Sequence, residues 1–290
     1  MYEAISLSSG STLGFYQLGA LHAAESNGKL KSLKIFAGTS VGSIIALLLA
    51  LGWTAIDIFS YCCSKDVSSV IQLHFDLHLL IEKWGLFNTN KLREYVEKMI
   101  KSKCHDKIPT FIELYDEKKK IFICTAYKLA SSNSNVYFSY KTHPNMSVLD
   151  AVMLSSNIPL VFTAAKYEQD FYLDGGVFCL NPAYYVQREF YESREFFEGE
   201  KHSKILSISL DYNGASSITE EDKKMKVSDY IREIVMIPMN NQVNVQSNEI
   251  IDNITLSTKS NPIVNLSVNN DTKINWFCSG MEQALKHFEK

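Results

Sequence analysis

The chain has 290 residues, 46% hydrophobic and 21% charged, the proportions of a globular protein that buries a core without disulfide or metal staples. Its 29 basic and 32 acidic side chains leave a net charge of −3, which excludes a protein whose main task is to neutralise nucleic-acid phosphate. Only 6 Pro and 13 Gly exclude long low-complexity segments.

The N-terminus, Met1-Tyr2-Glu3, has no basic region, and its first apolar run is broken by Ser6, Ser8 and Ser9, so it reads as a strand and not as a signal peptide. The most apolar stretch, Ile44 to Trp53, is too short to span a bilayer. The expectation is a cytoplasmic protein, soluble or peripherally membrane-associated. Six cysteines, including adjacent Cys62 and Cys63, offer no C-x-x-C pair; free thiols are expected, with no zinc site and no disulfide framework.

Residues 4–7 alternate as a short strand that ends in Ser8-Ser9-Gly10-Ser11, and helical spacing of Leu18, Leu21 and Ala24 predicts a helix from Gly14 to Ser26 with Gly28 as its stop. A second strand over 33–37 runs into Gly38-Thr39-Ser40-Val41-Gly42, followed by an apolar helix over 43–51. This strand–helix–strand–helix order predicts a parallel sheet covered by helices. Residues 54–118 read as mainly helical, with an amphipathic helix over 90–101 capped by Asn88 or Asn90. Strands are expected over 121–126, 136–139 and 171–173, and a helix over 147–155. The remainder reads as helix 183–197, strand 205–210, a polar loop over 211–224, a long helix over 227–249, strand 263–268 and a C-terminal helix.

Three segments carry chemistry. Gly38-Thr39-Ser40-Val41-Gly42 is a G-x-S-x-G between a strand and a helix, the setting of a nucleophile elbow; a plain strand-to-helix turn with serine caps has the same local pattern. Ser8 to Gly14 is another small-residue turn, able to aim several backbone N–H groups at one point, as an oxyanion hole requires; it lacks the spacing of a nucleotide-binding loop. Asp174-Gly175-Gly176 reads, on turn chemistry alone, as a hairpin turn.

In this order the three segments resemble the patatin-like phospholipases, which combine a glycine-rich turn after the first strand, a G-x-S-x-G elbow and a downstream D-G-[GA] motif. Leu7-Ser8, Gly19-Ala20-Leu21, Gly85-Leu86-Phe87 with Leu92-Arg93, Ser155-Ser156 to Pro159, and Asn181-Pro182 extend the resemblance over about residues 4–185. It implies one domain over 1–290 with a three-layer α/β/α fold and a mainly parallel central sheet, residues 186–290 completing the sheet and outer helices. It also implies a Ser–Asp dyad: Ser40 as nucleophile, Asp174 as general base, and an oxyanion hole from Ser9, Gly10 and Ser11. Gly38 and Gly42 would shape the elbow, and Gly14, Gly175 and Gly176 would support the motifs. The substrate implied is a phospholipid at a lipid interface, with no cofactor, no metal and no nucleic-acid partner.

One departure stands out. The family turn often reads G-G-G-x-[RK]-G, whereas here Ser9 and Ser11 replace glycines and Leu13 replaces the basic residue. A neutral acylglycerol is therefore an alternative substrate, a lysophospholipid is another that the family allows, and a non-catalytic lipid-binding pseudo-hydrolase is an alternative function. A Ser–Asp–His triad would need His202 or His287, neither in a catalytic setting; His74 and His78, at i and i+4, lack an H-E-x-x-H pattern. Large apolar residues between Trp53 and Phe87 form either a mobile cap that docks on lipid or ordinary core.

Overall fold

Alternation along the first strands decides the layers. In the computed structural model, residues 1–64, 77–129, 134–192, 204–211, 234, 237–238, 242–258 and 268–289 are described. Strand β1 (Tyr2–Leu7), helix α1 (Gly14–Ser26), β2 (Ile35–Thr39) and α2 (Val41–Ala50) form the two expected strand–helix units. Helices α3 (Ala55–Ser64) and α4 (Leu77–Lys83), the short strand β3 (Gly85–Phe87), and helices α5 (Asn90–Lys101) and α6 (Phe111–Lys118) follow. Then come β4 (Ile121–Leu129), β5 (Ser134–Phe138), α7 (Val148–Ser155), β6 (Leu160–Phe162), β7 (Ala165–Tyr167) and β8 (Asp170–Asp174). The short helix α8 (Ala183–Val186), β9 (Lys204–Asp211), β10 (Ile251–Ser257) and α9 (Asn270–Phe288) close the described chain.

The main sheet runs β10-β9-β1-β2-β4-β8-β7, with β5 also on β4; β10 through β4 are parallel, and β5, β7 and β8 are antiparallel additions. Period-two alternation sends Ile5, Leu7, Phe36 and Phe122 to one face, against α1, α2 and α7. It sends Ala4, Ile35, Ala37 and Ile123 to the other, against Ala183, Val186 and Phe190. This is a three-layer α/β/α arrangement. Both faces are covered, which is why the parallel strands are apolar on both sides.

Helix α9 packs along α1 at a crossing that only glycine permits. A Cβ on Gly19 would lie 1.9 Å from the Phe277 carbonyl oxygen, and one on Gly280 would lie 2.0 Å from that of Tyr16. The backbones thus come close enough for Tyr16 and Trp276 to stack, with ring centroids 5.7 Å apart.

Several expectations are corrected. Residues 242–249, predicted as the end of a long helix, are not helical, and the strand at the sheet edge is β10 over 251–257. Of the strand expected over 263–268, residues 263–267 lie outside the described residues and Val268 is not in a strand. The loop over 212–224, the end of the helix predicted to 197, His74 and His202 also lie outside them. The cap of α5 is Thr89, not Asn88 or Asn90. In the apolar segment the described residues are mixed, with Leu86 buried and Ile56 39% exposed, and the side chains of Leu77 and Leu79 lie outside them. Ile58 is fully buried, and Trp53 and Phe59 pack on the core, whereas Ile81 and Trp84 are 77% and 57% exposed. No single helix among the described residues is long and apolar enough to cross a membrane. All six cysteines are free.

Candidate active site

Strand β4 brings the two distant motifs together. Its nine residues outreach β2, which pairs along 121–125 and stops at Thr39 opposite Thr125. Strand β5 occupies the other edge of β4, from Cys124 to Lys128. Strand β8 therefore shares the edge that β2 leaves free, runs toward β2, and ends with Asp174 opposite Ala126. Thr125 and Ala126 are neighbours, so register alone sets the ends of β2 and β8 head to head.

Between them, the Ser40 hydroxyl donates to Asp174 Oδ2 at 2.6 Å, and both residues are only 4% exposed. Ser40 turns the chain from β2 into α2 with φ 55° and ψ −128°, a left-handed conformation costly for a residue with a Cβ. The Ser40 N–H donates to Ser155 Oγ at 2.9 Å, and Ser43 Oγ donates to the Ser40 carbonyl at 2.6 Å, so the strained residue is held at both backbone ends. The motif glycines are needed for close approach. A Cβ on Gly38 would lie 2.3 Å from the Gly42 carbonyl oxygen, one on Gly42 would lie 2.5 Å from that of Ser8, and one on Gly175 would lie 2.4 Å from that of Thr125. Cβ atoms on Gly14 and Gly176 would come within 2.9 Å of Val41 and of Asp174 Oδ1, respectively.

The turn after β1 lies against this elbow. Ser8 is fixed by its N–H to Ile208 O at 3.0 Å and by Gln17, whose Nε2 donates to the Ser8 carbonyl at 2.7 Å. The three expected donors differ in their partners. The Ser9 N–H donates to Leu180 O at 2.8 Å, whereas no backbone carbonyl among the described residues accepts from the Gly10 or Ser11 N–H. Ser11 has φ 47°, so one of the two serines replacing family glycines occupies the left-handed region. Leu13 is fully buried, and this position presents no charge to the site.

Burial pushes the Asp174 carboxyl up to about 7, against the opposing pull of hydrogen bonds from Ser40 and the Gly176 N–H. A carboxylate near neutrality is a far better proton acceptor than one at its ordinary value. The Asp174 N–H donates to Asn157 O at 2.8 Å, which ties its backbone to the segment after α7. Sequence reasoning missed the roles of Ser155, Asn157 and Gln17. Gln17 left a signal: it is the one amide side chain in the apolar helix from Gly14 to Ser26.

A cavity of about 160 Å³ has Ser11 and Ser40 in its wall and runs between α1, α2, α3 and α5, past Leu18, Leu48, Ile58 and Met99. Its lining is almost wholly apolar. Ile158 and Phe162 close one side, and β6, which carries Phe162, pairs with β3 beside the exposed Trp84. His287 is excluded from the site. Its ring bonds Asp252 at 2.8 Å, and Asp252 is also held by Tyr2, at the start of β1 and so at the far end of the sheet from Ser40. Among the described residues no cluster of three His, Cys, Asp or Glu could hold a metal ion.

A family model described as patatin-like phospholipase matches residues 5–186. The chain is 32% identical over 179 residues to the probable lipid hydrolase 463L of Invertebrate iridescent virus 6, covering 61% of this chain and 60% of that protein. It is 33% identical over 174 residues to the uncharacterized protein R571 of Acanthamoeba polyphaga mimivirus, covering 59% and 57%. The matched region thus spans under two thirds of these relatives' length. Among solved structures, VipD from Legionella pneumophila aligns with a TM-score of 0.53 at 16% identity, over 99% of this chain and 67% of VipD. The type III effector protein ExoU aligns at 0.51 and 14%, over 99% and 53%. These two likenesses concern the fold.

Proposed function

The chain belongs to the patatin-like phospholipase family, and on that footing we propose that it is a serine acyl hydrolase of the phospholipase A type, acting on fatty-acyl esters of phospholipids. The observation that carries this reading is the 2.6 Å hydrogen bond to the buried Asp174 Oδ2 from Ser40 Oγ, whose residue lines an apolar cavity. Asp174 takes the proton of Ser40 as Oγ bonds to the ester carbonyl carbon. The negative oxygen that develops is met by the Gly10 and Ser11 N–H groups. As the carbonyl re-forms, the ester C–O bond breaks, and Asp174 returns the proton to the departing alcohol. Water, deprotonated in turn by Asp174, then attacks the acyl carbon; the Ser40 Oγ–acyl bond breaks, Asp174 returns the proton to Ser40 Oγ, and the fatty acid is released. The cavity holds the acyl chain, the only part of a phospholipid apolar enough to replace water there. The relative named a probable lipid hydrolase supports the same substrate class.

The neutral surroundings of the turn keep a second substrate in view. Buried Leu13 supplies no cation for a phosphate headgroup, which suits an acylglycerol. A fluorophosphonate probe tests the enzyme: the wild type labels at Ser40, Ser40→Ala does not, and Asp174→Asn slows turnover of phospholipid vesicles by roughly 10² to 10⁴-fold. Faster release of fatty acid from emulsified acylglycerol than from vesicles would move the substrate to neutral lipid. A folded wild type that never labels would leave the lipid-binding pseudo-hydrolase.

A further inference from the structure

The strap from Gly176 to Leu180 joins the two halves of the candidate site. At its start, the Gly176 N–H donates to Asp174 Oδ1 at 2.7 Å. At its end, Leu180 O accepts the Ser9 N–H at 2.8 Å, which ties the strap to the turn bearing Gly10 and Ser11. In its middle, Cys179 O accepts the Thr39 hydroxyl at 2.9 Å, next to Ser40. A shift of this strap therefore moves the base and the oxyanion turn relative to the nucleophile.

One side chain bridges both ends of the strap. Gln242 Oε1 accepts the Leu180 N–H at 2.7 Å, and Gln242 Nε2 donates to the Gly176 carbonyl at 2.7 Å. The orientation is unambiguous: an amide N–H only donates and a carbonyl only accepts, so a flipped carboxamide would lose both bonds. A carboxamide offers a donor and an acceptor forked at this spacing and carries no charge at any pH. Gly176 is then held on both sides, its N–H by Asp174 and its carbonyl by Gln242. Gln242 is also no core residue. It is half-buried and lines, with Phe178, Leu180 and Tyr184, a second cavity of about 250 Å³ that does not include Ser40. Leu180, whose N–H it accepts, lines the same cavity.

We propose that Gln242 is a positioning residue for acyl transfer, clamping the Gly176–Leu180 strap so that Asp174 and the Gly10–Ser11 turn keep their placement around Ser40. The inference rests on the Ser40–Asp174 reading above. Gln242 touches neither substrate nor reacting atoms and does not line the acyl cavity, so its loss acts on kcat and leaves KM in place.

Gln242→Leu and Gln242→Glu in the full chain test it, read by fluorophosphonate labelling rate at Ser40, by kcat and KM on a soluble p-nitrophenyl ester, and by hydrogen exchange at the Leu180 amide. In Gln242→Leu, labelling rate and kcat fall roughly tenfold to a hundredfold, as displacements on the order of 1 Å do, with KM nearly constant. Its Leu180 amide exchanges faster than in the wild type. Gln242→Glu keeps the acceptor for Leu180 but sets an oxygen against the Gly176 carbonyl; it retains slow exchange and still loses kcat. Wild-type labelling in either folded variant, a loss confined to KM, or unchanged Leu180 exchange in Gln242→Leu overturns the proposal. A wild type that never labels, with Leu180 exchange still responding to Gln242→Leu, overturns the hydrolase reading and the positioning role with it, and is thereby distinguished from failure of the clamp.

Discussion

Among the described residues no cation meets the Asp174 carboxyl: its oxygens are met by the Ser40 hydroxyl and the Gly176 N–H, and burial lifts it to about 7. Two consequences have opposite signs. In its proposed role as base Asp174 must be unprotonated, so kcat/KM on a soluble ester should fall about tenfold per pH unit below about 7, a limb that a stopped pH profile resolves. For stability, the folded state holds this proton more tightly than the unfolded chain, whose carboxyl titrates near 3.8. The contribution is fully present below about pH 4 and is lost as the pH rises through about 7. Asp174→Asn should thus stabilise the chain by a few kcal/mol at pH 8 and by little at pH 4, on the order of 1.4 kcal/mol for each pH unit between the two values. Equal denaturant midpoints for variant and wild type at pH 8 would show that the charge is not buried as described. Strain points the same way at Ser40 and Ser11, two residues with side chains in left-handed backbone beside the reacting atoms.

At the scale of elements, glycines set how closely helices and strands meet, and two of them separate stability from activity. Gly280 lies where α9 crosses α1, and a Cβ there would sit 2.0 Å from the Tyr16 carbonyl oxygen. Gly42 lies in the first turn of α2, and a Cβ there would sit 2.5 Å from the Ser8 carbonyl oxygen, in the turn after β1. Both Gly→Ala changes should cost about 2–4 kcal/mol, because backbone atoms must move apart. Only Gly42→Ala should also slow Ser40 labelling per folded molecule. Denaturation curves paired with probe labelling measure both; equal labelling by the two variants would break the link between α2 and the turn after β1.

At the scale of the whole molecule, two of the exposed large apolar groups among the described residues, Ile81 and Trp84, stand close together in the chain. Ile81 and Trp84 project from the corner of α4 and β3, Trp84 packs on Phe171 with centroids 5.3 Å apart, and β3 is bonded to β6, whose Phe162 lines the cavity. Large exposed aromatics at such a rim suit an interface where one side is lipid. Flotation with phosphatidylcholine vesicles should show Ile81→Asp and Trp84→Asp binding severalfold more weakly than the wild type, with labelling by a soluble probe unchanged. Equal flotation would remove this rim from lipid contact.

Local pattern made much of this protein legible. Strand–helix alternation over 4–51, the bounds of α1 from Gly14 to Ser26, and the three small-residue motifs depend on neighbours a few residues apart, which period and turn chemistry encode. The short strands β3, β6 and β7 were not readable, since three residues carry no period. Nor was β10, where a polar segment, Ile251–Ser257, forms a strand because β9 offers it an edge. The sequence by itself determined that Ser40 stands in a small-residue turn between a strand and a helix and that Asp174 precedes two glycines. Only the tertiary structure decided that they meet, through the register of β4, and that the Ser9 N–H is taken by Leu180 while Gln242 bridges the strap between them. Those partners lie tens to hundreds of residues apart, and long-range pairing is fixed by packing of the whole chain and not by any local propensity.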